Sequence, residues 1–551
     1  MAKRVLIVGG VAGGASAAAR LRRLDEFAEI VIFERGEDIS FANCGLPYYV
    51  GGVIPRRDSL VVQTPRAMKT RFNIDVRTLS EVVKIDPESR EIEVQNVVSG
   101  ATVREKYDFL ILSPGAAPIK PPLPGIELGN VFSVRNIPDC DRILMYVDAN
   151  KPQRAAVIGG GFIGLEMAEN LSTRGLQVSV VEMSDQVMPP LDPEMAALVH
   201  RYLRSQRIEL CLGDGAVSLD GDGLVSQLTL KSGKTIPADI VVMGIGVKPE
   251  VELAREAGLT IGAVGGIEVD EFLRTSDPNI FAVGDAIQVK GYIGGQQVMI
   301  PLAGPANKQG RIAADNICGR LTKYEGTLGT AIAKLFDMSI AATGMNEKML
   351  KKMNINYEVS YTHPAPHATY YPGGAPMSMK LIFVPASGDL LGAQIVGFDG
   401  VDKRIDVLAT AIRKGFTVFD LQELELAYAP PFSSAKDPVN MAGYVAGNIV
   451  RGDAAVVHWH DIDQLQRSGA LIVDVRTPGE FQSGAIAGAI NIPVDDLRSR
   501  MSEIPKNQPI IIYCRVGLRG YIACRMLQQH SYDNVKNLSG GYLTYDPVVN
   551  G

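Results

Sequence analysis

Two cysteines in unlike surroundings carry the chemistry available to this chain of 551 residues. Cys44 lies in Ser40-Phe41-Ala42-Asn43-Cys44-Gly45-Leu46-Pro47-Tyr48-Tyr49, and Cys514 opens Cys514-Arg515-Val516-Gly517-Leu518-Arg519 directly after the apolar run Ile510-Ile511-Ile512-Tyr513. The thiolate is the reactive form of cysteine in sulfur exchange, and a helix N-terminus stabilises it. Asn43 and Gly45 ahead of Pro47 place Cys44 in an exposed turn at a helix start, so its thiol is expected to ionise readily. The competing fate of a lone cysteine is a small core thiol. Cys44 reads as a redox-exchanging sulfur and Cys514 as a carrier of sulfur in persulfide form.

The elements that must position them are dinucleotide-binding turns. Residues 5–34 read as strand, glycine-rich turn, helix and strand, through Gly9-Gly10-Val11-Ala12-Gly13-Gly14 to Glu34-Arg35. Residues 155–182 repeat the scheme, with Gly159, Gly161 and Gly164 in full G-x-G-x-x-G register and a strand closing on Glu182. Such glycines permit a tight turn, close approach of backbone to a pyrophosphate and close helix–strand packing, and the helix N-terminus meets the phosphates. The first copy departs by placing Val11 at the central glycine. Glu34 and Glu182 stand where a carboxylate accepts from ribose hydroxyls. No Arg or Lys follows Glu182 until Arg201, so nothing nearby neutralises a 2′-phosphate, which favours NADH over NADPH.

Composition bounds the rest. Apolar residues make up 46% and charged residues 21%, ordinary for a globular protein. With 55 basic against 61 acidic residues the net charge is −6, which gives no basic field for nucleic acid. The six cysteines, at 44, 140, 211, 318, 514 and 524, form no C-x-x-C pair, and no metal-ligand motif occurs. The strand-like start at Arg4-Val5-Leu6-Ile7-Val8 and the lack of a long apolar run point to a cytoplasmic protein without a membrane span.

Leu110-Ile111-Leu112-Ser113-Pro114-Gly115-Ala116 and Thr275-Ser276-Asp277-Pro278-Asn279-Ile280-Phe281-Ala282-Val283-Gly284-Asp285 complete a pattern. With Gly9–Gly14 and Glu34, these segments resemble the FAD-dependent pyridine nucleotide–disulfide oxidoreductases. The resemblance implies that Asp285 holds the flavin ribityl chain and that Ser113, Gly115 and Gly284 belong to the same site. It also implies an NAD domain inserted in the FAD domain. Tyr49 stands where glutathione-reductase-like members carry the second cysteine of a C-x4-C pair. The chain is therefore similar to the single-cysteine branch of NADH oxidases, NADH peroxidases and coenzyme A–disulfide reductases. In that branch the oxidised partner is a sulfenic acid, mixed disulfide or persulfide on Cys44 itself. Ala12 replaces the histidine typical of the peroxidases. Gly9–Gly14, Ser40–Tyr49 and Tyr428-Ala429-Pro430-Pro431-Phe432-Ser433-Ser434-Ala435-Lys436-Asp437-Pro438 resemble the coenzyme A–disulfide reductases. There Tyr428 from the partner subunit approaches the redox cysteine, and a second tyrosine, Tyr370 or Tyr371, joins it.

Residues 54–71 carry Arg56, Arg57, Arg66, Lys69 and Arg71 against the single acid Asp58, and the first helix adds Arg20, Arg22 and Arg23. Such a patch suits the phosphates of coenzyme A. By resemblance, Ser16, Arg20, Arg23, Ser40, Asn43, Arg71 and Lys436 line a coenzyme A channel. Beyond Asn448 the pattern resets, and Leu471–Arg476, Glu480-Phe481, Gly488–Pro493, Cys514–Arg519 and Gly540-Gly541-Tyr542 resemble a rhodanese domain, with Ala485 in place of a common histidine. The six-residue loop turns its N–H groups toward Cys514, and Arg515 and Arg519 favour an anionic sulfur.

The expected fold is α/β: an FAD-binding Rossmann-like domain (1–119 and 246–325), an inserted NAD-binding Rossmann-like domain (120–245), an α+β dimerisation domain (326–446), a linker (447–456) and an α/β rhodanese domain (457–551). The expected activity is NADH-dependent reduction of coenzyme A persulfide, polysulfide or coenzyme A disulfide by a homodimer that uses FAD, with coenzyme A as a further bound molecule. Two rivals remain: an NADH oxidase or peroxidase, and a sulfur sensor or carrier with slow flavin redox.

Overall fold

The computed structural model describes residues 2–551 and divides into two compact units: one runs up to Asp185 and resumes over Arg207–Gly329, and the other takes Gln186–Gln206 and Thr330–Gly551. The expected α/β class is the one observed.

The first unit contains the same architecture twice. One five-stranded parallel sheet orders Ile280–Ala282, Phe109–Leu112, Arg4–Val8, Glu29–Phe33 and Asp75–Arg77. The other orders Val131–Ser133, Ile240–Met243, Arg154–Ile158, Gln177–Glu182 and Glu209–Leu212. Each is interrupted by a three-stranded antiparallel meander, Ser80–Asp86 to Thr102–Lys106 in the first and Ala216–Asp222 to Thr235–Pro237 in the second. Parallel strands covered on both faces read as continuous β-branched runs. Val5, Leu6, Ile7, Ile32, Leu110 and Ile111 are accordingly fully buried. Within each sheet the glycine-rich turn follows the central strand, at the crevice where strand order reverses and ligands bind in such folds.

The second unit pairs an antiparallel sheet with a parallel one. The antiparallel sheet orders Ala331–Leu335, Met338–Gly344, Leu390–Gly397, Ser378–Phe383 and Glu358–Thr362, flanked by helices Val401–Arg413 and Pro438–Val450. The parallel sheet orders Val456–Val457, Val535–Leu538, Ile510–Tyr513, Leu471–Asp474 and Ile490–Asn491. No helix among the described residues is long and apolar enough to cross a membrane.

Helix Pro193–Ser205, which lies inside the segment expected for NAD binding, packs in this second unit. One ammonium anchors its start, beside the apolar face of Met195, Ala196, Val199 and Leu203. Lys380, fully buried, donates from Nζ to Asp192 at 2.8 Å and also to Glu194 and Glu347. Tyr361 Oη donates to Glu194 (2.9 Å), Tyr357 Oη to Glu347 (2.6 Å) and Gln394 Nε2 to Asp192 (2.6 Å). The three carboxylates cluster as metal ligands would, with Lys380 supplying the cation. Burial would raise the Glu347 carboxyl, but Lys380 and Tyr357 overcome it and hold it near 2, below its ordinary 4.5.

Breaking a buried ion pair on one side leaves uncompensated charge and costs about 3–5 kcal/mol. Lys380→Met should therefore lower the unfolding free energy of the second unit, read from urea denaturation, by that order. The pH dependence should also change sign. In the wild type the Glu347 contribution is complete above pH 4.5 and lost as pH falls toward about 2. In Lys380→Met the unpartnered carboxylates take up protons on folding, so its stability should rise as pH falls; a parallel decline in both proteins would contradict this.

Candidate active sites

Backbone-to-backbone contact builds the first site. Gly9 turns with φ +92°, and a Cβ there would lie 2.1 Å from the Ser113 carbonyl oxygen; a Cβ on Gly14 would lie 1.9 Å from the Gly9 oxygen. The second copy does the same, with Gly159 at φ +111° and a Gly164 Cβ 2.0 Å from the Gly159 oxygen. At Gly161 an added Cβ meets nothing, which explains why Val11 is tolerated at the matching place in the first copy. The terminal acids hold these turns. Glu34 accepts from Gly10 N and Gly36 N (both 2.9 Å), and Glu182 accepts from Gly160 N (2.7 Å) and Ser184 N (2.8 Å). Beyond the ribose contact expected of them, these acids thus clamp their own glycine turns.

A cleft of about 470 Å³ runs from the first turn to the thiol, lined by Val11, Ala12, Gly13, Glu34, Arg35, Ser40, Asn43, Cys44, Ser113, Gly115, Gly284 and Asp285, among others. Gly284 (φ +83°) starts the turn that aims Asp285 inward. Burial raises the Asp285 carboxyl against the opposing pull of Arg135, the condition of an acid short of hydrogen-bond donors. A bare glycine backbone, a helix N-terminus and a donor-poor carboxylate together fit a dinucleotide with a polyhydroxyl chain. FAD would be held here, with NAD(H) on the second cradle.

Cys44 sits in the 3-10 turn Asn43–Gly45 that leads into helix Leu46–Val50. Ser40 precedes it in left-handed backbone (φ +45°), tied by its N–H to the Gly10 oxygen at 2.9 Å. The expectation of a lowered thiol is corrected. Cys44 opens to the cleft, but the protein behind it desolvates the sulfur, and the charges of Glu166 and Asp285 add to that effect. All three raise the thiol, and only a backbone N–H opposes them. Glu166 was missed in the sequence. It lies two residues past Gly164 in the otherwise apolar start of helix Phe162–Thr173, where burial and Glu169 raise it to about 7 while Tyr48 hydrogen-bonds it. A lone acid in an apolar run beside a glycine fingerprint was the available signal.

The basic patch is partly consumed by structure. Arg22, 5% exposed, donates to the carbonyls of Phe72, Asp25, Glu26, Ala28 and Asn73. Arg57 bridges Asp38 and Asp141 (both 3.0 Å), and Arg20 pairs with Asp315 at 2.7 Å. Ser16 bonds Asn307. Arg23, Arg66, Lys69, Arg71 and, in the second unit, Lys436 are exposed.

In the second unit Tyr370 Oη and Tyr428 Oη are 2.9 Å apart and both exposed, whereas the Tyr371 ring packs edge-on against His367. Arg404, 1% exposed, ties together the two loops that carry the pair, donating to Pro366 O (2.8 Å), Ser433 Oγ (3.2 Å) and Asp437 (3.0 Å).

The last site is the Cys514 loop. Cys514 is fully buried at the end of strand Ile510–Tyr513, and Gly517, at φ +100°, donates its N–H to Sγ at 3.2 Å. Arg519 lies beside the sulfur and is held by a two-bond pair with Glu480 (2.7 and 2.8 Å); that pairing pulls the Glu480 carboxyl down to about 2. At Ala485, where the common histidine is absent, the next residue's N–H bonds Tyr513 Oη (3.1 Å). Cys524 is buried in the same core and its thiol is raised strongly by burial.

Glu166→Gln tests the electrostatics at Cys44. Removing one carboxylate should let Cys44 ionise at lower pH, so its alkylation at about pH 8, where Glu166 is otherwise charged, should speed up severalfold. An unchanged pH profile would show that Glu166 does not set the thiol.

Three family descriptions match the chain: pyridine nucleotide–disulphide oxidoreductase over residues 3–310, its dimerisation domain over 330–438, and a rhodanese-like domain over 459–546. The chain is 37% identical over 440 residues to an NADH oxidase of Methanocaldococcus jannaschii, covering 80% of this chain and 97% of that one. It is 36% identical over 444 residues to a coenzyme A disulfide reductase of Staphylococcus aureus, covering 80% and 99%. Among solved structures, reduced Bacillus anthracis CoADR-RHD superposes with TM-score 0.98 at 54% identity, covering 100% of this chain and 98% of that one. An NAD-dependent persulfide reductase from A. fulgidus superposes with TM-score 0.93 at 37% identity, covering 98% and 100%. With paired glycine cradles, one cysteine at the flavin cleft and a second buried in a loop that offers it a backbone N–H, the chain belongs to the pyridine nucleotide–disulphide oxidoreductase family, in the flavoenzyme branch that resembles coenzyme A–disulfide reductases and carries a rhodanese-like domain.

Proposed function

We propose that this protein is a homodimeric NADH-dependent reductase of sulfane sulfur and of coenzyme A disulfide. The single observation that carries the reading is the union, in one chain, of a lone thiol at a dinucleotide cleft with a second thiol in an anion-stabilising loop. NADH and FAD would supply the two electrons as hydride, chemistry that side chains lack. Cys44 attacks the outer sulfur of coenzyme A persulfide or one sulfur of the disulfide, and coenzyme A thiolate leaves. Two electrons and a proton then return Cys44 to its thiol, releasing sulfide in the first case and a second coenzyme A in the other. Cys514 takes sulfur from polysulfide as a persulfide, stabilised by the Gly517 N–H and Arg519, and delivers it to coenzyme A or to Cys44. The loop's anion-stabilising donors support that role.

Tyr428 protonates the departing thiolate of the Cys44 reaction in the second subunit. Its hydrogen bond to Tyr370 supports Tyr370 over Tyr371 as its companion. The exposed Arg23, Arg66, Arg71 and Lys436 take the coenzyme A phosphates, with Arg20, Ser16, Ser40 and Asn43 as further contacts. The coenzyme A disulfide reductase and persulfide reductase relatives support this reading. The relative named NADH oxidase favours the rival, against which stand Ala12 and the Cys514 domain; a sensor would consume about one equivalent of NADH and stall.

Anaerobic NADH oxidation decides. Cys44→Ser should abolish turnover with coenzyme A disulfide and with polysulfide, whereas Cys514→Ser should impair polysulfide alone. Tyr428→Phe, which removes an acid, should lower kcat by about 10²–10⁴. Turnover only with oxygen or peroxide, without sulfide release, would establish the oxidase instead.

A further inference from the structure

The carbonyl side of the Cys514 loop is held by the chain's last helix. Tyr542 N donates to the Cys514 oxygen (2.8 Å) and Leu543 N to the Arg515 oxygen (2.9 Å), so the peptide units that start the loop face outward with their oxygens. Gly541 (φ +62°) makes this approach possible: a Cβ there would lie 2.4 Å from the Cys514 oxygen. The same turn rests on the antiparallel sheet of the second unit. Gly540 (φ +73°) leaves no space for a side chain, since a Cβ would lie 2.7 Å from Tyr361 Cβ and 2.1 Å from Thr544 Oγ1. Thr544, 5% exposed on helix Tyr542–Val549, bonds His363 Nε2 at 3.0 Å, and His363 Nδ1 bonds Ser378 Oγ at 2.9 Å.

His363 therefore links a strand of one sheet to the turn that shapes the sulfur loop of another. We propose that His363 is a positioning residue for Cys514: it fixes Thr544 and the Gly540-Gly541 turn, and through them the outward carbonyls whose orientation leaves the loop's N–H groups free for the sulfur. The inference deepens the proposed role of Cys514 and rests on it. Burial and the neighbouring charge of Arg515 push His363 down to about 4, against a hydrogen bond with the Gly540 backbone, so the ring is neutral at working pH. A neutral ring offers one donor and one acceptor, and the Ser378 and Thr544 hydroxyls rotate to suit either tautomer. Arg201 also pairs with Asp546 on the last helix at 2.7 Å, and Asp546 bonds the Tyr542 side chain rather than the Gly540-Gly541 turn.

The test labels the full-length enzyme with iodoacetamide across pH and reads the Cys514 peptide by mass spectrometry, each profile scaled to its own plateau so that access does not enter. His363→Ala should displace the Cys514 profile toward alkaline pH by about one pH unit, a roughly tenfold loss of reactive thiolate below the midpoint. His363→Gln, whose amide nitrogen reaches the position of Nε2, should restore it. Arg201→Met should match the wild type, as should the Cys44 peptide in every variant. Thr544→Val, which removes only the hydroxyl, gives the same comparison should His363→Ala fail to fold. Superimposable Cys514 profiles in the wild type and these variants would overturn the inference, and so would an equal shift in Arg201→Met, which would reduce His363 to general docking. Sulfur loading from polysulfide is measured beside it: a wild type that labels normally but never acquires sulfur would overturn the carrier role while the profiles still decide on His363.

Discussion

Much of the second unit depends on a single buried ammonium. Lys380 lies among Asp192, Glu194 and Glu347, and no group in that cluster would tolerate burial alone. The network gathers helix Pro193–Ser205, the strand that carries Tyr361 and the helix that starts at Glu347 around one point. The same helix then meets the chain's last helix through Arg201 and Asp546. A segment that sequence order assigns to the nucleotide-binding half thus packs in the unit that carries the Cys514 domain, with its buried apolar face and these ion pairs both engaged there.

The two thiols are handled by opposite means. Cys44 opens to a cleft, yet desolvation and the charges of Glu166 and Asp285 push its thiol up. Cys514 is buried, but its loop supplies a backbone N–H and the Arg519 guanidinium directly to the sulfur. Exposure alone is therefore a poor guide to sulfur chemistry: what matters is which donors converge on the atom.

The tyrosine pair and the basic patch are likewise shaped by groups remote in sequence. Arg404 aligns the Pro366 loop with the Ser433–Asp437 turn, and that alignment brings Tyr370 and Tyr428 into contact across 58 residues. On the basic patch, the arginines that looked most alike in sequence divide by burial. Arg22 caps carbonyls inside the fold, while Arg23 beside it faces solvent.

The α/β class, the duplicated glycine cradles, the single Cys44 and the Cys514 loop were legible in the sequence, because each depends on local requirements. A turn at positive φ needs glycine, a doubly covered strand needs a β-branched run, and a six-residue loop has a fixed reach. The matching spatial order of the two sheets, with a meander in each, showed only as a partial echo, since meanders carry weak periodicity. Tertiary structure alone decided which tyrosine pairs with Tyr428, that Glu166 faces Cys44, that Glu34 and Glu182 clamp their own turns, and that Lys380 and His363 join segments far apart in the chain. These are properties of distance and desolvation, which depend on neighbours that only the folded chain brings together.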